Sequence, residues 1–254
     1  MSGRPDILLP RTRGGIIGIN TDTHLAPTFH VDTGNHPPTR EGMLTVIRER
    51  VKDPRVIAAF ERIDRKDFVP ESMRRAAYSN EGGLLIREGL ILSQPTMMAR
   101  MTEGLRLKGP ERVLYVGAGT GYGAAIVAQL VEKVDAVEID PESAAIAEWN
   151  LRYLGIDNVT VHRGDGRQGL RQEAPFDAIM VTAASEDLPD ELLDQLAPGG
   201  RLLVPVVESP YRQRLLGVTK GRSGHLVSAV DDLGTVNFGP LLTSTLTTPV
   251  ATRE

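Results

Sequence analysis

Three places in the sequence combine residue types and spacings that could do chemistry. The first is RVLYVGAGTGY, Arg112 to Tyr122, where a short apolar run ends in glycines at every second position, Gly117, Gly119 and Gly121. Such a run predicts a buried strand entering a tight loop. Behind it, Ala124, Ala125, Val127, Ala128, Leu130 and Val131 predict a helix with a broad apolar face. The loop then lies between a strand's carboxyl end and a helix's amino end. Backbone N–H groups there are expected to face a ligand, and any Cβ would hold that ligand away.

The second place is Glu138, at the end of the next predicted strand, Val134 to Ile139. A carboxylate there can accept both hydroxyls of a ribose. A dinucleotide fingerprint wants a further glycine where Tyr122 stands, so the reading is a nucleoside without a required phosphate, and a nicotinamide oxidoreductase is disfavoured. The third place is Ser93-Gln94-Pro95. Proline at a first helical position sets the Ser93 hydroxyl beside a positive helix end, where a carboxylate could dock. The plain alternative is that Ser93 only caps the helix.

Other chemistry-bearing residues carry less. His24, His30 and His36 recur every six residues, which matches neither a helix face nor a metal-ligand pattern, so they read as solvated. His162 and His225 read as surface strand residues, and Met97, Met98 and Met101 as core filling. No metal site is expected. The chain has no cysteine, which removes disulfides, thiolate metal sites and a cysteine nucleophile.

The elements that must position these residues follow from periodicity. Residues 1 to 40, rich in Gly, Pro, Thr, Asn and Asp, read as a flexible or irregular extension. Met43, Val46, Ile47 and Val51 fit one helix, and after Asp53-Pro54 a second carries Val56, Ile57, Phe60 and Ile63. Arg65 to Tyr78 reads as mixed turn and helix, and Ser79 to Leu92 as a loop. Beyond the glycine loop, strand and helix alternate: helix Pro141 to Leu154, strand Val159 to His162, strand Phe176 to Val181, helix Leu188 to Leu196 stopped by Pro198-Gly199-Gly200, then strand Arg201 to Val206. Arg214 to Thr219, Leu226 to Val230 and Thr235 to Phe238 predict closing antiparallel strands. The fold class is α/β, a doubly wound, mostly parallel sheet under an N-terminal helical cover, with ligands outside the strands' carboxyl ends. Glu138, Asp165 and Thr182 all fall on that edge. One core is predicted over residues 109 to 254, with residues 41 to 108 as a cover for the nucleoside site.

Composition is that of a globular protein: 24% charged, 41% hydrophobic and a formal net charge of −4. That charge offers no basic field for nucleic acid. No apolar run reaches eighteen residues and no secretory signal is visible, so no membrane partner and a cytoplasmic setting are expected.

From Arg55 onward the chain resembles the protein-L-isoaspartate O-methyltransferases, a class I S-adenosylmethionine-dependent family. The matching pieces are RKDFVP (Arg65 to Pro70) with Tyr78 following, LSQP (Leu92 to Pro95), YVGAGTGY (Tyr115 to Tyr122), GDG (Gly164 to Gly166), APFDAIMVTAA (Ala174 to Ala184), LAPGGRLLVPV (Leu196 to Val206) and NFGPL (Asn237 to Leu241). The resemblance implies a Rossmann-like fold, S-adenosylmethionine as cofactor, isoaspartyl-containing peptides or proteins as partners, and a monomer. It implies that Ser93 holds the acceptor carboxylate and that Leu92 and Val206 line the substrate. It places Gly117, Ala118, Gly119, Gly121 and Tyr122 at the methionine and ribose, Glu138 with Ile139 at the ribose, Asp165 and Gly166 along the adenine, and Thr182 by the transfer site.

Two departures stand out. The family's segment before the serine is close to GQTIS, whereas Gly89 to Ser93 reads GLILS, so Leu90 and Ile91 replace polar residues. Tyr115 replaces an acid often found before the glycine loop. These leave open a methyltransferase acting on another carboxylate, or a non-catalytic binder of the same nucleoside.

Overall fold

The computed structural model describes residues 38–222 and 227–242, together with a small ladder of β1 (Arg11–Thr12) on β2 (Gly15–Ile16). His24, His30, His36, His225 and Leu226 lie outside the described residues.

A seven-stranded sheet organises the molecule, in the order β11-β10-β9-β8-β5-β6-β7. Its parallel part is β5 (Arg112–Val116), β6 (Lys133–Glu138), β7 (Val159–Arg163), β8 (Phe176–Val181) and β9 (Leu196–Ser209). β10 (Arg212–Thr219) and β11 (Ala229–Val236) close one edge antiparallel. The chain fills one side of β5 with β6 and β7 and then crosses to the other with β8 and β9. The carboxyl end of β5 is therefore the switch point at which open α/β sheets bind ligands.

The sheet is buried on both faces, as parallel strands require. Val113, Tyr115, Val134, Ala136, Ala178 and Met180 point to one face; Leu114, Val116, Val137, Ile179 and Val181 point to the other. The first face carries α1 (Arg40–Arg50), α2 (Pro54–Arg62), α3 (Pro95–Gly104), α4 (Tyr122–Ala128) and α5 (Pro141–Tyr153). The second is covered mainly by α6 (Asp190–Asp194) and short turns. Asp53 and Asp140 each cap a helix whose first residue is proline, accepting from Arg55 N and Ser143 N at 2.9 Å. Met98 and Met101 are buried in the core, as expected. No helix among the described residues is long and apolar enough to cross a membrane.

Four expectations change. Ser79 to Leu92 is not all loop: β3 (Leu84–Arg87) pairs with β4 (Leu90–Leu92) in a hairpin whose turn places Gly89 at φ 76°. The helix around Leu192 is only α6, and Pro198 to Gly200 lie inside β9 rather than stopping a helix. The last two predicted strands are a single β11. Within it Asp231-Asp232-Leu233-Gly234 forms a bulge, with Gly234 at φ 108° and the register shifting between Arg214 and Leu216. There Asp231 accepts from Arg201 at 2.9 Å, and Asp232 pairs with Arg214. Finally, His162 is no bare surface residue, because its Nε2 lies 2.9 Å from the deeply buried Asp135 carboxylate.

Candidate active site

The glycine loop is fastened from three sides. Gly117 N and Ala118 N donate to Val137 O at 2.8 and 3.2 Å, and Gly121 N donates to Ala118 O at 2.8 Å. Gly119 N donates to Glu138 Oε2 at 2.8 Å, while Asp140 N reaches Glu138 Oε1 at 3.0 Å. Four of the loop's N–H groups, those of Gly117, Ala118, Gly119 and Gly121, are thus used inside the protein rather than left bare for a ligand. A loop serving a phosphate needs bare donors; one serving an uncharged nucleoside needs only close approach.

The glycines supply that approach. Gly117, Gly119 and Gly121 adopt φ of 92°, 55° and 88°. A Cβ on Gly117 would overlap the Thr182 hydroxyl, and one on Gly121 would meet the Ala147 backbone at 3.3 Å. Thr182 Oγ1 donates to Val116 O at 2.9 Å, with Gly117 O at 3.1 Å also in reach, so it locks the end of β8 to the loop. Glu138 is only 8% exposed, yet each carboxylate oxygen is given a single hydrogen bond among the described residues, which leaves further acceptor capacity. Ile139 beside it is partly exposed and Ala118 is buried. Asp165 caps the turn after β7 by accepting from Arg167 N at 2.9 Å. Gly166 packs so tightly on β5 that a Cβ would overlap Val116.

Tyr122 does not turn its ring to the loop. The ring is fully buried against Phe60 and Phe68, with the Arg65 guanidinium 5.0 Å from its centroid, and burial pushes its hydroxyl up to about 12. Tyr115 likewise faces the helices: its hydroxyl lies 3.5 Å from Met98 Sδ, and a Cβ on Gly123 would overlap it.

The β3–β4 hairpin brings the acceptor segment to this loop. Leu90 is buried, with its Cδ1 3.5 Å from where a Cβ on Gly119 would be. Arg87 on the other strand pairs with Asp140 and donates to Ser143 Oγ at 2.9 Å, so the hairpin spans from the glycine loop to the start of α5. Buried Arg65 holds both ends of the segment, donating to Ala77 O at 2.6 Å and Leu92 O at 3.3 Å. Burial lowers its pKa to about 10, which still leaves it cationic at pH 7. Leu92 itself is core, as is Val206 on β9.

Ser93 does not cap α3. The cap position is Gln94, without a side-chain cap bond. The capping acceptor comes from Asn80, whose Oδ1 takes Thr96 N at 3.2 Å and Thr96 Oγ1 at 2.8 Å, while Gln94 Nε2 donates to Asn80 O. That relieves Ser93 of structural duty beside a positive helix end.

Asn80, Arg65, Arg87 and Thr120 escaped the sequence reading. The Thr120 hydroxyl, within the glycine loop, is buried and has no partner among the described residues. An orphan hydroxyl, a cradle that a Cβ would fill and a carboxylate with spare acceptor capacity form a lining that fits a nucleoside with an amino-acid tail.

The family model described as protein-L-isoaspartate(D-aspartate) O-methyltransferase matches residues 39–245. The chain belongs to this family. It is 43% identical over 194 residues to the protein-L-isoaspartate O-methyltransferase of Myxococcus xanthus, covering 76% of this chain and 91% of that one. With the Roseiflexus castenholzii enzyme of the same name it shares 50% over 197 residues, 78% and 88% of the two chains. Among solved structures, a protein-L-isoaspartate O-methyltransferase superposes with TM-score 0.70 at 28% identity, over 80% of this chain and 65% of the other. A Plasmodium falciparum chain of that description, in complex with S-adenosyl-L-homocysteine, gives 0.68 at 25% identity, over 83% and 100%. The chain thus shares the fold of these structures, with Leu90 and Tyr115 packed within it and Ile91 on its surface.

Proposed function

We propose that this protein methylates the free α-carboxylate that L-isoaspartyl residues carry as a side group, in damaged cytoplasmic proteins and peptides, using S-adenosylmethionine. The observation that carries the reading is the hairpin contact: Leu90 lies on Gly119 of the nucleoside loop, and three residues later the same chain presents Ser93, free of capping work. S-adenosylmethionine supplies a sulfonium methyl, which forms a bond to a carboxylate oxygen as its bond to sulfur breaks, the electron pair staying on sulfur.

Glu138 would accept the ribose hydroxyls, Asp165 and Gly166 would follow the adenine edge, and Thr120, Thr182 and the loop backbone would border the amino-acid portion. The acceptor is ionised at pH 7, so no general base is required. What the chain must do is orient the anion and strip its water. Ser93 donates one hydrogen bond to the carboxylate beside the α3 N-terminus, and Asn80 and Arg65 keep that serine in place. The methyl ester is then attacked by the following peptide nitrogen, methanol leaves, and the succinimide opens with water to aspartate or isoaspartate.

The test is to incubate an isoaspartyl peptide with the protein and S-adenosylmethionine and follow the products by chromatography and mass. Ester, then succinimide, then aspartyl peptide is the expected sequence. S-adenosylmethionine binding without any ester would overturn the assignment.

A further inference from the structure

The hairpin that carries Ser93 also exposes an apolar pair. In the β3–β4 register Leu85 stands directly opposite Ile91, and the two are 59% and 58% exposed, among the most exposed large hydrophobic side chains of the described residues. Their neighbours Leu90 and Leu92 are buried on the other face. Side chains alternate along a strand, so Ile91 points outward between the buried Leu90 and Leu92, and the half-buried Ser93 follows directly after the strand's last residue. The ladder ends with Leu84 opposite Leu92, so Gly83 just precedes it where Ser93 just follows it, and a Cβ on Gly83 would press to 2.6 Å from Ile91 Cγ2.

We propose that Leu85 and Ile91 form a substrate-docking patch for a large apolar side chain lying within two residues of the isoaspartyl residue, so that this enzyme prefers damage sites flanked by Leu, Ile or Phe. The inference rests on the isoaspartyl reading above. One occupant follows from continuity with the acceptor position: two residues of strand span about 7 Å, the spacing between same-side residues of an extended peptide. A peptide whose isoaspartyl carboxylate meets Ser93 therefore lays its neighbouring side chain over the pair. Directly opposite cross-strand partners are close enough to act as one surface. Leu90 takes no part, because its side chain is committed to Gly119.

The experiment compares two isoaspartyl peptides, one with Leu and one with Glu two residues from the isoaspartyl site, against wild type, Leu85→Ser/Ile91→Thr and Ile91→Met. Wild type should show kcat/KM about tenfold higher for the Leu peptide, about 1.4 kcal/mol, expressed in KM. The double variant should bring that ratio to near one while S-adenosylmethionine binding and kcat on the Glu peptide stay unchanged. Ile91→Met should keep the preference. A wild-type ratio near one, or a ratio that survives in the double variant, overturns the proposal while leaving the isoaspartyl assignment intact. Methylation of neither peptide overturns that assignment and the patch with it.

Discussion

Glu138 Oε2 takes its hydrogen bond from Gly119 N at 2.8 Å, so the acid at the end of β6 and the glycine loop after β5 are one unit. The carboxylate shapes the loop and keeps acceptor capacity, which the proposed reading assigns to a ribose.

Glu138→Ala should therefore weaken S-adenosylmethionine binding more than a single ligand contact would, by roughly ten- to a hundredfold. Glu138→Gln, which keeps one oxygen, should fall between. Calorimetry checks the order; binding of Glu138→Ala at wild-type strength would separate the residue from the cofactor.

Gly117 answers to Thr182. Gly117→Ala must hold an alanine at φ 92° and overlap the Thr182 hydroxyl, so it should lose roughly 1–3 kcal/mol of stability and most of its cofactor affinity. Adding Thr182→Ala removes the overlap but not the φ. Denaturant titration of the pair should recover only part of the loss.

Asn80 is expected to act on the acceptor side alone. Asn80→Ala removes the acceptor at the start of α3, at a cost of about 1 kcal/mol or about 2–4 °C in Tm, and should lower transfer while sparing S-adenosylmethionine binding. Asn80→Asp keeps the acceptor oxygen and should keep stability, but it sets an anion near Ser93 and should raise the peptide KM. Thermal melts together with steady-state kinetics on the two variants distinguish the effects.

The hairpin's fastening has a pH sign. Burial pushes the Asp140 carboxyl up, but the Ser143 side chain and backbone and Arg87 outweigh it and hold its pKa below the ordinary value. A carboxyl depressed in the folded state stabilises above its unfolded pKa, near 3.9, and that contribution fades as pH falls through the folded value. Asp140→Asn should thus flatten the acid limb of a stability–pH curve and leave its shape between pH 6 and 8 unchanged. Parallel acid limbs for the two proteins would contradict the role given to this pair.

The sheet, its switch point and the loop were legible because their signals are local: apolar runs, alternating glycines and proline after aspartate each mark an element directly. What was hidden is contact between distant parts. GLILS looks like loop because three residues of strand are too few for periodicity, and the pairing of Leu85 with Ile91 sets its faces. Asn80 capping α3 across 16 residues leaves no mark in the serine-proline motif. Tyr122 reads correctly as a missing glycine, yet its ring belongs to the core with Phe60 and Phe68. The glycines announced a ligand; only the hydrogen bonds told that their amides were already taken.

The most direct test of the central claim is methyl transfer from labelled S-adenosylmethionine to two synthetic peptides that differ only in carrying aspartate or isoaspartate at one position, run with wild type and Ser93→Ala. Base-labile label on the isoaspartyl peptide alone, falling about a hundredfold in Ser93→Ala while S-adenosylmethionine still binds, is the predicted result. Equal labelling of both peptides, or none on either with cofactor bound, would contradict it.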